Sequence, residues 1–130
     1  MQDALSLALQ YHLVIVTKYR RRCLTFAMLQ QLREICERQL AMKEGALIEF
    51  NGAADHLHLL LELPPKTSIS MLVNSLKTVT ARLMRRDHAA HLKQFNWKPV
   101  LWRRSYFVAS CGGAPLAVIK QYIQQQEAPH

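Results

Sequence analysis

Acidic residues are scarce in this chain: nine Asp and Glu stand against seventeen Lys and Arg among 130 residues. A two-metal nuclease or polymerase needs several convergent carboxylates, and the acids here are too few and too scattered for that. Only Asp55 and Glu62 flank the most conspicuous histidines, and the alternation of a strand turns Asp55 away from Glu62. A one-metal chemistry is the better match. Glycine is also rare, at four residues, and no lysine sits in a glycine-rich loop, which argues against a nucleotide-hydrolysing site. Cysteine is limited to Cys23, Cys36 and Cys111, an odd number without metal-ligand spacing. They read as reduced thiols of a cytosolic protein, not a disulfide framework. No apolar run reaches the length of about 18 residues that a membrane-spanning helix needs. The opening Met1-Gln2-Asp3-Ala4 lacks the basic flank of a secretory signal.

What is present suits a single folded domain covering residues 1–130. Half the residues are apolar, enough for a core, and the formal charge of +8 suits a polyanionic partner. Tyr11 to Thr17 (YHLVIVT) reads as a strand, followed by the basic loop Lys18 to Arg22. Thr25 caps a helix to about Lys43, whose apolar face is Met28, Leu29, Leu32, Ile35, Cys36 and Leu40, and Gly45 sits at its stop. Ala46 to Asn51 and His56 to Leu63 are two further strands. Asn51-Gly52 between them predicts a hairpin turn. Pro64-Pro65 ends the third strand, and Ser68 or Ser70 caps a helix to about Asp87 with Leu72, Leu76, Val79 and Leu83 inward. Residues 88–104 carry no clear period. Tyr106 to Ser110 is a fourth strand, Gly112-Gly113 a break, and Pro115 to Gln126 a closing helix. The expected class is α+β: a ferredoxin-like antiparallel sheet, βαββαβ, with helices on one face and a C-terminal helix at about 115–126.

Two local patterns carry chemistry. His56-Leu57-His58 places two imidazoles at i and i+2 of a strand, hence on one face, where they form half of a metal site. Leu57, Leu59 and Leu61 then point to the core. On the last helix, Tyr122 offers a phenol able to attack a phosphodiester, and Gln126 at i+4 lies on its face as a neutral oxygen ligand for Mg²⁺ or Mn²⁺. Gln125 at i+3 is an equivalent choice. Around them stand cations mixed with aromatic rings: Lys18, Tyr19, Arg20, Arg21 and Arg22; Lys77 with Arg82, Arg85 and Arg86; and Trp102, Arg103 and Arg104 following Trp97 and Lys98. Cations hold phosphates while unpaired bases stack on rings, a combination suited to single-stranded nucleic acid. The alternative role for Trp97 and Trp102 is in the core.

Taken in order, these segments resemble the HUH-class single-tyrosine transposases, the TnpA family of small bacterial insertion sequences and their domesticated, palindrome-associated relatives. Tyr11-His12-Leu13-Val14 with Val16 to Arg21 resembles the family's opening strand and basic turn, and Asp55-His56-Leu57-His58-Leu59 its metal motif. Trp102, Ser105 to Val108 and Gly112-Gly113 resemble its late strand and hinge, and Tyr122-Ile123 with Gln126 its nucleophile helix. Arg22 departs from the proline often found at that point. The resemblance implies a cytoplasmic, nucleoid-associated bacterial homodimer that cleaves and rejoins hairpin-bearing single-stranded DNA. Tyr122 would form a 5′-phosphotyrosine, His56, His58 and Gln126 would hold the divalent metal, and the tyrosine helix of one protomer could complete the site of the other. A non-catalytic single-strand-binding module is the alternative.

Overall fold

The computed structural model describes residues 8–95, 100–111 and 116–125. Strand β1 spans Leu9–Val16, helix α1 Phe26–Met42, β2 Ala46–Ala53, β3 His56–Leu63, helix α2 Ile69–Asp87, short helix α3 Ala89–Lys93, β4 Phe107–Ser110 and helix α4 Leu116–Gln125. A 3-10 turn at Lys18–Arg20 follows β1. The four strands form one antiparallel sheet in the order β2-β3-β1-β4. This is the expected α+β arrangement, with the two chemically loaded strands, β1 and β3, adjacent at its centre.

Local sequence explains most boundaries. The Thr25 hydroxyl accepts a hydrogen bond from Met28 N and starts α1, and Ser68, not Ser70, does the same for α2 through Met71 N. The stop of α1 is less simple. Glu44, not Gly45, takes the left-handed backbone conformation, with φ 61°. Gly45 is needed for a different reason: a Cβ there would stand 2.4 Å from the Glu62 carbonyl oxygen. Pro64 follows the last residue of β3, as expected.

Strand alternation separates the two faces of the sheet. Leu57, Leu59, Leu61 and Leu63 of β3 are all buried, with Leu13 and Ile15 of β1 beside them. Helices α1 and α2 cover this face through Met28, Leu32, Ile35 and Leu40 and through Leu72, Val73, Leu76 and Met84. Val79 and Leu83, expected inward, are only partly buried at the margin. The opposite face carries His56, His58, Leu60 and Glu62 of β3 beside Gln10, His12, Val14 and Val16 of β1. Here α4 covers a second, smaller cluster, in which Val14 and Val16 are fully buried against Phe107, Tyr122 and Ile123.

Two expectations change. Asn51 and Gly52 do not form the hairpin turn: both lie in β2, paired with His58 and Leu57, and the chain reverses at Ala54 and Asp55. The extra pairs bring Gly52 over α1, where an added Cβ would meet the Leu29 side chain at 2.6 Å. Trp102 is not a surface stacking platform. It is 4% exposed, bridges Thr17 as an extension beside β1, and donates its indole N–H to Thr80 Oγ1 at 2.8 Å. Trp97, Lys98 and the Gly112-Gly113 break lie outside the described residues. Cys23 and Cys36 are buried and unbridged, and burial pushes the Cys36 thiol up to about 12, so it is inert. Among the described residues no helix is long and apolar enough to cross a membrane.

Candidate active site

The site is built on β3. Because His56 and His58 are two residues apart, their rings leave the sheet on the same face, and each has a nitrogen engaged. His56 Nδ1 lies 2.9 Å from Asp55 Oδ1. The carboxylate can only accept, so Nδ1 carries a proton toward it, and in the neutral ring Nε2 is left as a lone pair. His58 Nε2 lies 3.1 Å from His12 Nδ1, with the ring centroids 5.3 Å apart. Burial, then the nearby His12 and His56 rings, hold His58 below the ordinary histidine range, with Glu49 opposing. A neutral imidazole is the form that binds a metal, so this donor chemistry fits a divalent cation.

Asp55 is the hub of the site. It is 2% exposed although it occupies a turn. Its backbone carbonyl accepts from Thr17 N, and its carboxylate accepts from Arg20 Nε at 2.5 Å. Burial alone would raise its carboxyl, but hydrogen bonds from His56 and Arg20, with the Arg20 charge, outweigh that and lower it. The same Arg20 guanidinium donates through Nη1 to the backbone carbonyl of Ile123 in α4. One arginine thus ties the turn before the histidines to the helix that carries the tyrosine. Its geometry is unusual: Tyr19 and Arg20 are consecutive residues with positive φ, 58° and 53°. Such conformations cost energy and persist where surrounding contacts fix them.

Tyr122 packs on Phe107, with ring centroids 5.1 Å apart, and on Val14 and Val16. Val14 is the direct cross-strand partner of His58, so the tyrosine stands over the strand next to the histidines, on the same face and in the same chain. Its hydroxyl is buried with no hydrogen-bond partner among the described residues. Burial raises its pKa; the Ser105 side chain and the Arg103 charge pull it down by less, Ser105 without hydrogen-bond geometry. Gln126 lies outside the described residues, and Gln125 is exposed at the end of α4.

The expected cations divide by role. Lys18, Tyr19, Arg103, Arg104 and Ser105 line an open groove of about 420 Å³, and a neighbouring groove shares Lys18 and Arg104 and adds Lys77. Tyr19 is 51% exposed there, with Lys18 Nζ and Arg21 Cζ 5.3 and 5.1 Å from its ring centre. Arg22 and Arg82 are exposed and Arg85 is half-buried. Several members are also committed within the fold, Arg22 among them at 3.9 Å from Asp55. Arg20 serves Asp55 and Ile123, Lys77 donates to the carbonyls of Arg103 and Arg104 at 2.6 and 2.9 Å, and Arg86 pairs with Asp87 at 2.6 Å. Burial, then the Arg104 charge, lower the Lys77 ammonium. The sequence placed Arg20 among the DNA-binding cations and Asp55 in the metal motif without their mutual contact, and it gave His12 no role at the site. The period of β1 puts His12 on the Val14 face, but only the strand register brings it to His58.

Comparison with known proteins assigns the family. The family model described as transposase, IS200 like, matches residues 6–126. The chain belongs to the IS200-like transposase family. It is 35% identical over 121 residues to the transposase for insertion sequence element IS200 of Salmonella typhimurium, covering 90% of this chain and 76% of that protein. It is 34% identical over 119 residues to the ISDra2 transposase TnpA of Deinococcus radiodurans, covering 91% and 84%. A solved transposase structure from Deinococcus radiodurans R1 superposes with a TM-score of 0.82 at 35% identity, covering 93% of this chain and 92% of that one. A REP-associated tyrosine transposase, solved bound to a REP hairpin, shares the fold with a TM-score of 0.56 at 14% identity, over 89% of this chain and 61% of that one. In this IS200-like transposase, Arg20 joins the turn before the histidine-bearing strand to the helix that bears Tyr122.

Proposed function

We propose that this transposase cleaves and rejoins hairpin-bearing single-stranded DNA through a phosphotyrosine on Tyr122, with a divalent cation, Mg²⁺ or Mn²⁺, held by His56 and His58. The observation that carries this reading is the position of α4: it sets Tyr122 on the histidine face of its own chain's sheet and is tied through Arg20 to Asp55. The bound cation supplies Lewis-acid stabilisation of the charge that builds on the phosphate oxygens.

The chain's own residues do the rest. Tyr122 Oη attacks the scissile phosphorus, a P–O(Tyr) bond forms, the P–O3′ bond breaks, and the 3′-oxygen leaves as a hydroxyl while the phenol proton is lost. One phosphodiester is exchanged for another, so the bond is stored for rejoining. The phenol rests in an apolar pocket that favours its protonated form, so attack requires it to move out toward the phosphate. Asp55 fixes the tautomer and orientation of His56. The two basic grooves meeting at Lys18 and Arg104 form a track for the strand, with Tyr19 as an exposed ring for an unpaired base. Gln126, or Gln125, is the proposed third ligand from α4.

We also propose a two-fold dimer. Each protomer carries a tyrosine helix on the histidine face of its own sheet, and exchange of α4 between protomers would give the trans arrangement. A heterodimer of a His58→Ala chain with a Tyr122→Phe chain separates these states, since it has an intact site only in trans. The principal test is a gel of end-labelled hairpin DNA. The wild-type chain should yield a tyrosine-linked fragment that needs Mg²⁺ or Mn²⁺. Tyr122→Phe, and His56→Ala with His58→Ala, should yield none while still binding DNA. Metal-independent cutting, or equal cutting by Tyr122→Phe, overturns the mechanism.

A further inference from the structure

We propose that His12 is a third imidazole ligand of the divalent cation, entering through Nδ1 beside His58 Nε2. This rests on the metal-dependent reading above and extends it to a residue on a different strand from the two histidines of the motif.

The argument begins with the sheet. In the β1–β3 ladder His12 is paired with Leu60 and Val14 with His58. His12 and His58 are therefore diagonal neighbours on one face, at a spacing that long side chains bridge. The rings close this gap, bringing Nδ1 of one to 3.1 Å from Nε2 of the other. With a bond of about 2.0–2.1 Å, the length of a zinc–imidazole bond, two nitrogens on one ion lie about 2.9 Å apart at right angles and about 3.4 Å apart at a tetrahedral angle. The observed separation falls between these values. The two nitrogens already stand as far apart as two ligands of a single ion would; the ion would sit to one side of the line between them, reached by a small turn of each ring. When the ion enters, the proton between the two nitrogens moves to the other nitrogen of its ring or to solvent.

The setting supports the same assignment. Both rings are half-buried on rigid central strands, so little ordering remains to be done on binding. Among the described residues no carboxylate or amide bonds to either of these two nitrogens, whereas His56 Nδ1 is taken by Asp55. Among the described residues no three metal-type side chains already converge on one point. The His12–His58 pair is thus the preformed edge of the site, and His56, kept on Asp55 through Nδ1, offers its Nε2 from the same face of the sheet. A ligand on β1 also adds a rigid contribution that does not depend on where α4 lies.

The test uses the full-length protein with Mn²⁺ as the probe, alone and with hairpin DNA. Mn²⁺ affinity is read from the free-ion electron paramagnetic resonance signal, and the number of coordinated nitrogens from electron spin echo modulation. The wild-type chain should show three nitrogens. His12→Ala, and the space-filling His12→Gln, should each show two, and His12→Ala should bind Mn²⁺ at least 10-fold more weakly while melting as a folded protein. His58→Ala should lose the signal of a bound ion. Two nitrogens in the wild-type chain, with unchanged affinity in His12→Ala, would overturn the assignment and leave the His56–His58 reading intact. A weakened affinity with the same nitrogen count in wild type and His12→Gln would also overturn it, because His12 would then only position His58. A wild-type chain that binds no Mn²⁺ under either condition removes both this assignment and the metal-dependent reading.

Discussion

Replacing Tyr122 with Phe should abolish strand cleavage and at the same time make the protein more stable. The second half follows from the structure. The phenol oxygen is buried with no hydrogen-bond partner among the described residues, while the ring packs on Phe107, Val14 and Val16. Burying an unbonded hydroxyl costs about 1–3 kcal/mol by the measure of protein substitutions. Phe keeps the ring contacts and removes that cost, against a small loss of packing around one missing atom. A net gain of about 1 kcal/mol is expected, which for a domain of this size is a rise in Tm of roughly 4 °C. The assay is calorimetric melting of both proteins in the absence of DNA and metal. Trp102→Phe is the control of opposite sign, because its indole N–H is bonded to Thr80 and its loss should cost about 1 kcal/mol. If Tyr122→Phe melts at or below the wild-type temperature, the hydroxyl has a partner in solution, and the picture of a nucleophile parked unbonded in an apolar pocket is wrong. If it melts higher, the helix holds its functional group at a cost to the fold, as active sites often do.

Gly45→Ala should destabilise by about 2 kcal/mol in urea unfolding, since its Cβ would meet the Glu62 carbonyl, a backbone atom that cannot step aside; an unchanged midpoint would count against this packing. Asp55→Asn should cost about 3 kcal/mol by breaking the buried ion pair with Arg20 and the charged contact to His56, and should weaken cleavage by loosening both His56 and α4. Because the Asp55 carboxyl is lowered on folding, its contribution is complete above the unfolded value of about 4 and is lost as pH falls through the folded one. Wild type should therefore lose more stability than Asp55→Asn between pH 6 and pH 3; parallel losses would show that Asp55 is not held down. Arg104→Ala should weaken single-strand binding and flatten its dependence on log salt by roughly 0.7, read by fluorescence anisotropy across a salt series, whereas an unchanged slope would take Arg104 out of the phosphate track.

The parts of this protein that were legible in its sequence are those set within one element. The period of Met28, Leu32, Ile35 and Leu40, capped by Thr25, is a local property, and α1 follows it. The alternation of β3 is equally local and puts His56 and His58 on one face while four leucines fill the core. Trp102 was not decided by its neighbours in sequence, because a tryptophan among arginines suits a base platform as well as a core. Only its seat between Thr17 and Thr80 settles the matter. Asn51-Gly52 is a strong turn pair, but cross-strand pairing to His58 and Leu57 outweighs it, and the reversal moves to Ala54 and Asp55.

His12 marks the boundary of what patterning can reach. A shift of one residue between β1 and β3 would expose the leucines and is excluded by burial. A shift of two would keep every leucine in the core and yet set His12 opposite His58 or Glu62 instead of Leu60. Hydrophobic pattern is blind to that difference, although the difference decides which nitrogens meet. What fixes it lies at the strand end: Thr17 N on the Asp55 carbonyl, and Arg20, held in a left-handed conformation, on the Asp55 carboxylate. These contacts join the end of β1 to the turn that opens β3, and so set the register along the whole ladder. Asp55 thereby does three things from one position. It orients His56, it anchors the arginine that holds α4, and it aligns the strand that brings His12 to His58.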